Sequence, residues 1–313
     1  MTRRGFLTTS AAATLLTGCA STVAPSTTAE TQYPPVGRFV EVDGLKMHYI
    51  DEGQGPPIVL VHGANGNVRD WTFSMTSRLR TRYRVIAMDR PGHGYSQRPA
   101  TDGANPMKQA QLIADATAAI GIDRAVIAGH SWGGAVATSW ALSRPDQVAG
   151  AAILAGATYP WGGDGGLLYS LGSGPFGPAI GAIARAYVSG PRVDSMVADV
   201  FAPNPTPPGY VDHIGVPLAL RPSTFRWNAD DIDQLNGNLE QIAPRYGELA
   251  MPLEVLHGDV DETVLARIHS VPLAAEAMNA RLTILEGVGH MLHHVEEDTI
   301  VAAIDRLMTQ AFA

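Results

Sequence analysis

The chain has 313 residues, of which 45% are hydrophobic and 17% charged, with a formal net charge of −8. That supplies enough apolar material for one large α/β domain carrying an insertion, or for two smaller domains. It excludes the basic surface with which a nucleic-acid-binding protein meets phosphates, and a single cysteine, Cys19, rules out an intramolecular disulfide.

Residues 1–18 read as an address. Thr2-Arg3-Arg4-Gly5-Phe6-Leu7 resembles a twin-arginine export signal, and the apolar run that follows, residues 11–16, is too short to span a bilayer as a permanent helix. Leu16-Thr17-Gly18-Cys19 resembles a bacterial lipobox, which implies cleavage before Cys19 and lipid on its sulfur. Residues 19–35, rich in Ser, Thr, Ala and Pro, lack apolar periodicity and are expected to form a flexible tether. The implied protein is an exported bacterial lipoprotein, held by its N-terminal lipid on the periplasmic or cell-surface face of a membrane.

From residue 36 the pattern becomes that of a fold. Arg38-Phe39-Val40-Glu41-Val42 and Leu45-Lys46-Met47-His48-Tyr49-Ile50, separated by Asp43-Gly44, predict a β-hairpin with a two-residue turn. Pro57-Ile58-Val59-Leu60-Val61 and Arg84-Val85-Ile86-Ala87-Met88 are continuous apolar runs, as in strands covered on both faces. The spacing predicts a helix over 107–120 and a strand over 124–128. Further strands are expected at 148–154, 253–256 and 282–285, and helices over 263–278 and 295–308. This alternation implies a mostly parallel central sheet with helices on both faces. It divides the chain into a first core part, 36–157, and a second, 250–313. The interval 158–249 breaks the alternation with many Gly and Pro residues and short apolar helical pieces. It is expected to be a mainly helical cap over the strand ends, where open α/β sheets bind ligands.

The centre of the chain is Gly129-His130-Ser131-Trp132-Gly133-Gly134, between an apolar β-rich run and a helical one. Strand, sharp turn and helix are the context of a G-x-S-x-G nucleophile elbow, in which a tight turn pushes the serine hydroxyl into the open. A serine hydroxyl needs a base to take its proton, and the base needs a third group to hold its tautomer. His290 follows the last expected strand on a glycine-rich turn and is the candidate base; His293 and His294 rank lower because they begin a helix. Asp261, beyond the turn after strand 253–256, is the candidate acid, with Asp259 as runner-up. The N–H groups of Trp132 and Ala64 are the candidate oxyanion donors. Asn65, Trp161 and Trp227 are candidate pocket residues. His62, His93 and His130 are expected to make turn hydrogen bonds rather than transfer protons. No metal or cofactor is expected: H-E-x-x-H is absent, no dinucleotide fingerprint is matched, and the one cysteine is Cys19 of the lipobox-like run.

These motifs fall in one order. His62-Gly63, Asp89-Arg90-Pro91-Gly92-His93-Gly94-Tyr95-Ser96, the elbow, Gly258-x-x-Asp261 and Gly289-His290 together resemble an α/β-hydrolase-fold serine hydrolase over roughly residues 36–313. The resemblance implies carboxylic-ester hydrolysis, with Ser131 forming an acyl-enzyme; the hydrophobic residues of the expected cap suggest a small to medium, partly apolar substrate. Epoxide hydrolases and haloalkane dehalogenases resemble the same framework with aspartate as nucleophile, so Ser131 argues against their alkyl-enzyme ester. Carbon–carbon bond hydrolases and cofactor-free perhydrolases use the same triad and remain alternatives, as do lactone or amide hydrolysis and a non-catalytic binding protein. No obligate protein partner is visible.

Overall fold

A computed structural model describes residues 28–312 except 164–166, 174–176 and 188–190. The export signal, the lipobox with Cys19 and the start of the expected tether lie outside the described residues. The end of that tether is ordered. Residues 29–32 form a one-turn helix, α1 (Ala29–Gln32), capped by the Thr28 hydroxyl. The chain after it is held by Tyr95, whose hydroxyl donates to Tyr33 O, and by Arg69, which donates to Pro34 O.

The hairpin strands β1 (Arg38–Val42) and β2 (Leu45–Glu52) pair in register through the Asp43-Gly44 turn. They are followed by β3 (Pro57–Val61), the short helices α2 (Val68–Thr72) and α3 (Met75–Leu79), then β4 (Arg84–Met88), α4 (Pro106–Ala119), β5 (Ala125–His130), α5 (Trp132–Ser143) and β6 (Val148–Leu154). After β6 come α6 (Leu167–Ser173), α7 (Gly177–Tyr187), α8 (Pro191–Phe201), α9 (Tyr210–Ile214), α10 (Val216–Ala219) and α11 (Pro222–Ile242), so the insertion is helical as its sequence implied. The chain re-enters the sheet with β7 (Leu253–Gly258), α12 (Ser270–Glu276) and β8 (Ala280–Leu285), and ends in α13 (Leu292–Val295) and α14 (Glu297–Phe312). Among the described residues no helix is long and apolar enough to cross a membrane.

The eight strands lie in the order β1-β2-β4-β3-β5-β6-β7-β8, antiparallel at the hairpin edge and parallel from β4 to β8. Alternate residues of each strand feed opposite cores, as the two-residue period requires. Val59, Val61, Ile86 and Ile127 pack with α4, α5 and the end of α11; Ile58, Leu60, Val85 and Val126 pack with α3 and α14. The chain places β4 on one side of β3 and β5 on the other. The crevice at the carboxyl ends of β3 and β5 is therefore a topological switch point, and the turn after Val61 and the turn at Ser131 meet there.

Two helices differ from their expected extents. The helix expected over 263–278 is confined to α12 (Ser270–Glu276), which leaves Pro272 in the first turn; in a helix begun at 263 that proline would stand in the interior, where it removes an N–H and clashes with the preceding turn. The helix expected over 295–308 is broken at Glu296, whose backbone is non-helical, between α13 and α14.

Candidate active site

Ser131 sits between β5 and α5 with φ 54° and ψ −120°, a backbone conformation that L side chains rarely adopt. Its surroundings enforce it. The Ser131 N–H donates to Leu154 O at 2.9 Å, and Ser131 O accepts from Gly134 N at 2.8 Å and Ala157 N at 3.0 Å. A β-carbon on Gly129 would strike the Gly133 carbonyl, and one on Gly133 would strike the Val61 carbonyl, so strand, turn and helix pack backbone to backbone. Trp132 opens α5, where its N–H has no carbonyl four residues back within the helix. The loop after β3 lies directly alongside: a β-carbon on Gly63 would sit 3.0 Å from Ser131 Cβ. Among the described residues neither the Trp132 nor the Ala64 N–H donates to a protein acceptor.

Asp261 and His290 are brought together from the loops after β7 and β8, with His290 Nδ1 donating to Asp261 Oδ2 at 2.8 Å. The carboxylate is fully engaged. Its Oδ1 accepts the N–H groups of Thr263 and Val264 at 2.8 and 2.9 Å, and its Oδ2 lies 3.1 Å from His257 Nε2. Burial alone would raise the Asp261 pKa, but these hydrogen bonds, from His257 and His290 first, hold it below the usual carboxylate range. An ionised Asp261 fixes His290 with its proton on Nδ1 and its Nε2 lone pair available. No hydrogen bond joins Ser131 Oγ to His290 in this geometry; such contacts tighten when substrate binds. The elbow and the His290 turn are nonetheless tied, since His130 Nε2 lies 3.0 Å from His290 O. From the cap, Asn204 accepts the Gly289 N–H at 2.8 Å and donates to Gly287 O at 2.9 Å. Asp259, the runner-up acid, accepts the Gly287 N–H at 2.7 Å and is a turn residue.

Several other histidines are held below the ordinary histidine value by burial. His62 accepts the Arg90 N–H at 2.9 Å and donates from Nδ1 to Gly63 O at 2.8 Å; burial and the Arg90 charge push its pKa down to about 4. His93 and His130 lie well below the ordinary value for the same reason, burial first. His293 and His294 both turn Nε2 toward the Asp70 carboxylate, at 3.1 and 2.8 Å, and Tyr210 adds its hydroxyl at 2.7 Å. Asp70, His130 and His293 offer ligand atoms within 4.8 Å of one another, the one such convergence among the described residues. Asp70 accepts from both histidines and the tyrosine, while Nδ1 of His293 and of His294 is buried without a hydrogen-bond partner.

The candidate pocket residues separate. Asn65, with φ 56°, donates its N–H to Asn228 Oδ1 at 2.7 Å beside the site. Trp161 donates its N–H to Asn236 of α11 at 2.7 Å, and its ring lies 6.0 Å from that of His269. Trp227 does not belong with them. It lines a different cavity of about 520 Å³, bounded by Gly92, Tyr95, Arg98, Arg221 and Thr224, with none of Ser131, Asp261 or His290 on its walls. The helical periodicity of α11 turns Trp227 toward the loop after β4, while Asn228 and Asp231 face the site. Sequence reasoning missed His257, which a strand of buried residues conceals, and the buried Arg90–Asp231 pair at 2.8 Å. A buried arginine in the 89–96 turn, needing a carboxylate from elsewhere, was the available signal for the second.

This architecture, a mostly parallel eight-stranded sheet covered by helices, is the α/β-hydrolase fold. The family model described as alpha/beta hydrolase fold matches residues 56–168. Over 135 residues the chain is 35% identical to haloalkane dehalogenase 2 of Mycobacterium tuberculosis strain H37Rv, covering 42% of this chain and 45% of that relative, so less than half of the relative's length is matched. A solved N-acyl homoserine lactone degrading enzyme is 26% identical, with a TM-score of 0.62 over 85% of this chain and 99% of that one. A bacterial membrane phospholipase A is 25% identical, with a TM-score of 0.66 over 88% and 86%.

The lowered histidines carry a consequence for stability. His62, His269 and His293 each have a folded pKa of about 4 against an ordinary 6.5, burial being the main cause. Between those values the unfolded chain binds protons that the folded one does not, so stability falls as pH drops from about 6.5 toward 4. Asp261 contributes in the same direction, but only below its ordinary value of 3.8. Melting temperatures at pH 7.5, 5.5 and 4.5 and constant ionic strength are expected to fall steadily below 6.5; equal values at 7.5 and 4.5 would contradict the assignment.

Proposed function

We propose that the protein is a serine hydrolase that cleaves a carboxylic ester of a small to medium, partly apolar substrate through an acyl-enzyme. The observation that carries this reading is Ser131 at a positive-φ elbow beside an Asp261–His290 pair whose free ring nitrogen is Nε2. In it, His290 takes the Ser131 proton as the oxygen attacks the carbonyl, and the N–H groups of Ala64 and Trp132 receive the oxyanion. His290 then protonates the leaving alcohol and activates the water that releases the acid. Two solved structures at 25–26% identity favour an ester, since a lactone and a phospholipid acyl linkage both carry that bond. Dehalogenation is disfavoured by chemistry. A serine that displaced a halide would be left as an ether, which water does not cleave, whereas a carboxylate nucleophile leaves a hydrolysable ester.

Incubating the protein with a fluorophosphonate probe and a p-nitrophenyl ester series tests this reading. Labelling and turnover are expected, with Ser131→Ala abolishing the label and lowering turnover by about 10³-fold or more. A folded wild-type protein that neither labels nor turns over any ester would overturn it.

The same reading places the enzyme on a membrane as an exported lipoprotein anchored at Cys19, on the strength of the lipobox and twin-arginine pattern at the head of the chain. In a bacterial host, Cys19→Ala is expected to abolish incorporation of labelled fatty acid and move the protein to the soluble fraction. Unchanged membrane fractionation of that variant would count against the anchor.

A further inference from the structure

The two candidate oxyanion donors are aimed by groups outside the triad. In a trans peptide the C=O and N–H point to opposite sides of the chain, so whatever holds the carbonyl also aims the amide. Ser131 O, held by Gly134 and Ala157, fixes the direction of the Trp132 N–H in this way. Gly63 O is held by His62 Nδ1 at 2.8 Å and Arg90 Nη2 at 3.2 Å, which turns the Ala64 N–H away from them. That pins only the peptide preceding Ala64. The following peptide is pinned by the cap: Asn228, 1% exposed on α11, accepts the Asn65 N–H at 2.7 Å and so fixes a residue whose φ is 56°. One turn along the same helix, Asp231 O accepts from Trp132 Nε1 at 3.2 Å, and the Asp231 carboxylate pairs with Arg90 at 2.8 Å. The Arg90 guanidinium in turn stacks 4.2 Å over the Trp132 ring. One face of one cap helix thus reaches both walls of the oxyanion site.

We propose that Asn228 is a positioning residue for ester hydrolysis: by holding the Ala64–Asn65 peptide it fixes the far side of Ala64 and keeps the Gly63–Ala64 peptide, which carries the Ala64 N–H, from tilting off the developing oxyanion; the cap is then part of the catalytic geometry as well as its roof. This rests on the serine-hydrolase reading above. A donor shifted off the oxyanion costs most where charge has developed, in the transition state, and little in ground-state binding. The effect therefore belongs in kcat rather than KM.

The test compares wild type with Asn228→Leu, which removes the acceptor at similar volume, and Asn228→Asp, which keeps one, each in the full chain. For the best p-nitrophenyl ester, Asn228→Leu is expected to lower kcat by about 10- to 100-fold with KM within about two-fold. Its affinity for a trifluoromethyl ketone, which forms an oxyanion on the serine, should fall by the same factor, while inhibition by the product alcohol stays unchanged. Asn228→Asp should recover most of the loss. Unchanged kcat and ketone affinity in Asn228→Leu would overturn the proposal, as would equal weakening of ketone and alcohol, which marks a binding wall. If the leucine variant does not fold, Asn228→Ser, too short to keep the 2.7 Å contact, is read by the same criteria. A wild type without Ser131-dependent ester turnover removes the hydrolase reading and this inference together. Turnover lost in Ser131→Ala but intact in Asn228→Leu removes this inference alone.

Discussion

The structure turns on a close approach of three backbones. β5, the elbow and the first turn of α5 meet with glycines where any side chain would collide, Gly129 against Gly133 and Gly133 against the end of β3. Such contact leaves Ser131 nowhere to relax, and hydrogen bonds from Gly134 and Ala157 and to Leu154 hold it at positive φ. An isolated strained residue would cost stability of order 1–3 kcal/mol and be lost to relaxation. Here the packing of the parallel sheet over-determines it. The same approach brings the loop after Val61 against the serine, so Ser131 and both candidate donors follow from one packing event.

Charge around that point is distributed with economy. Asp261 stays ionised because two backbone amides and two histidines donate to it, and in the proposed mechanism it fixes the His290 tautomer. His62, His93, His130 and His293 are held neutral by burial, so they orient backbone and carboxylates without competing for the proton. The Arg90–Asp231 pair is different: both groups are fully buried, and desolvation offsets much of their attraction. Its place at the junction of the β4 turn, the oxyanion loop and the cap helix makes geometric sense of that cost. Asn204 at the His290 turn and Asn228 at the Ala64 loop show the cap engaging both halves of the site.

Much of this was legible in the sequence because the signals are local. Continuous apolar runs marked the buried strands, Asp43-Gly44 marked the hairpin, and the glycine spacing around Ser131 marked a strand-to-helix turn that few other structures require. Asp261 and His290 were readable from their places just beyond strands, and the structure joins them at 2.8 Å. What was not legible depends on partners far along the chain. Asp70 meets histidines 223 and 224 positions away, and Arg90 meets Asp231 after 141, distances over which no periodicity speaks. Trp227 lines the cavity beside Gly92 and Arg98 rather than the surroundings of Ser131, since aromatic residues in an insertion show hydrophobicity but not facing. The helix after β7 is shorter than its apolar spacing suggests because Pro272 is tolerated only in a first turn, which sets the start of α12 at Ser270.

The central claim is that a substrate acyl group passes through a covalent bond to Ser131. The most direct measurement is to quench the protein with acid within milliseconds of mixing with a p-nitrophenyl ester, then record the intact and peptide masses. The account requires a gain of one acyl group, located on the peptide containing Ser131 and absent from Ser131→Ala. An adduct on another residue, or turnover that persists in Ser131→Ala, would contradict it.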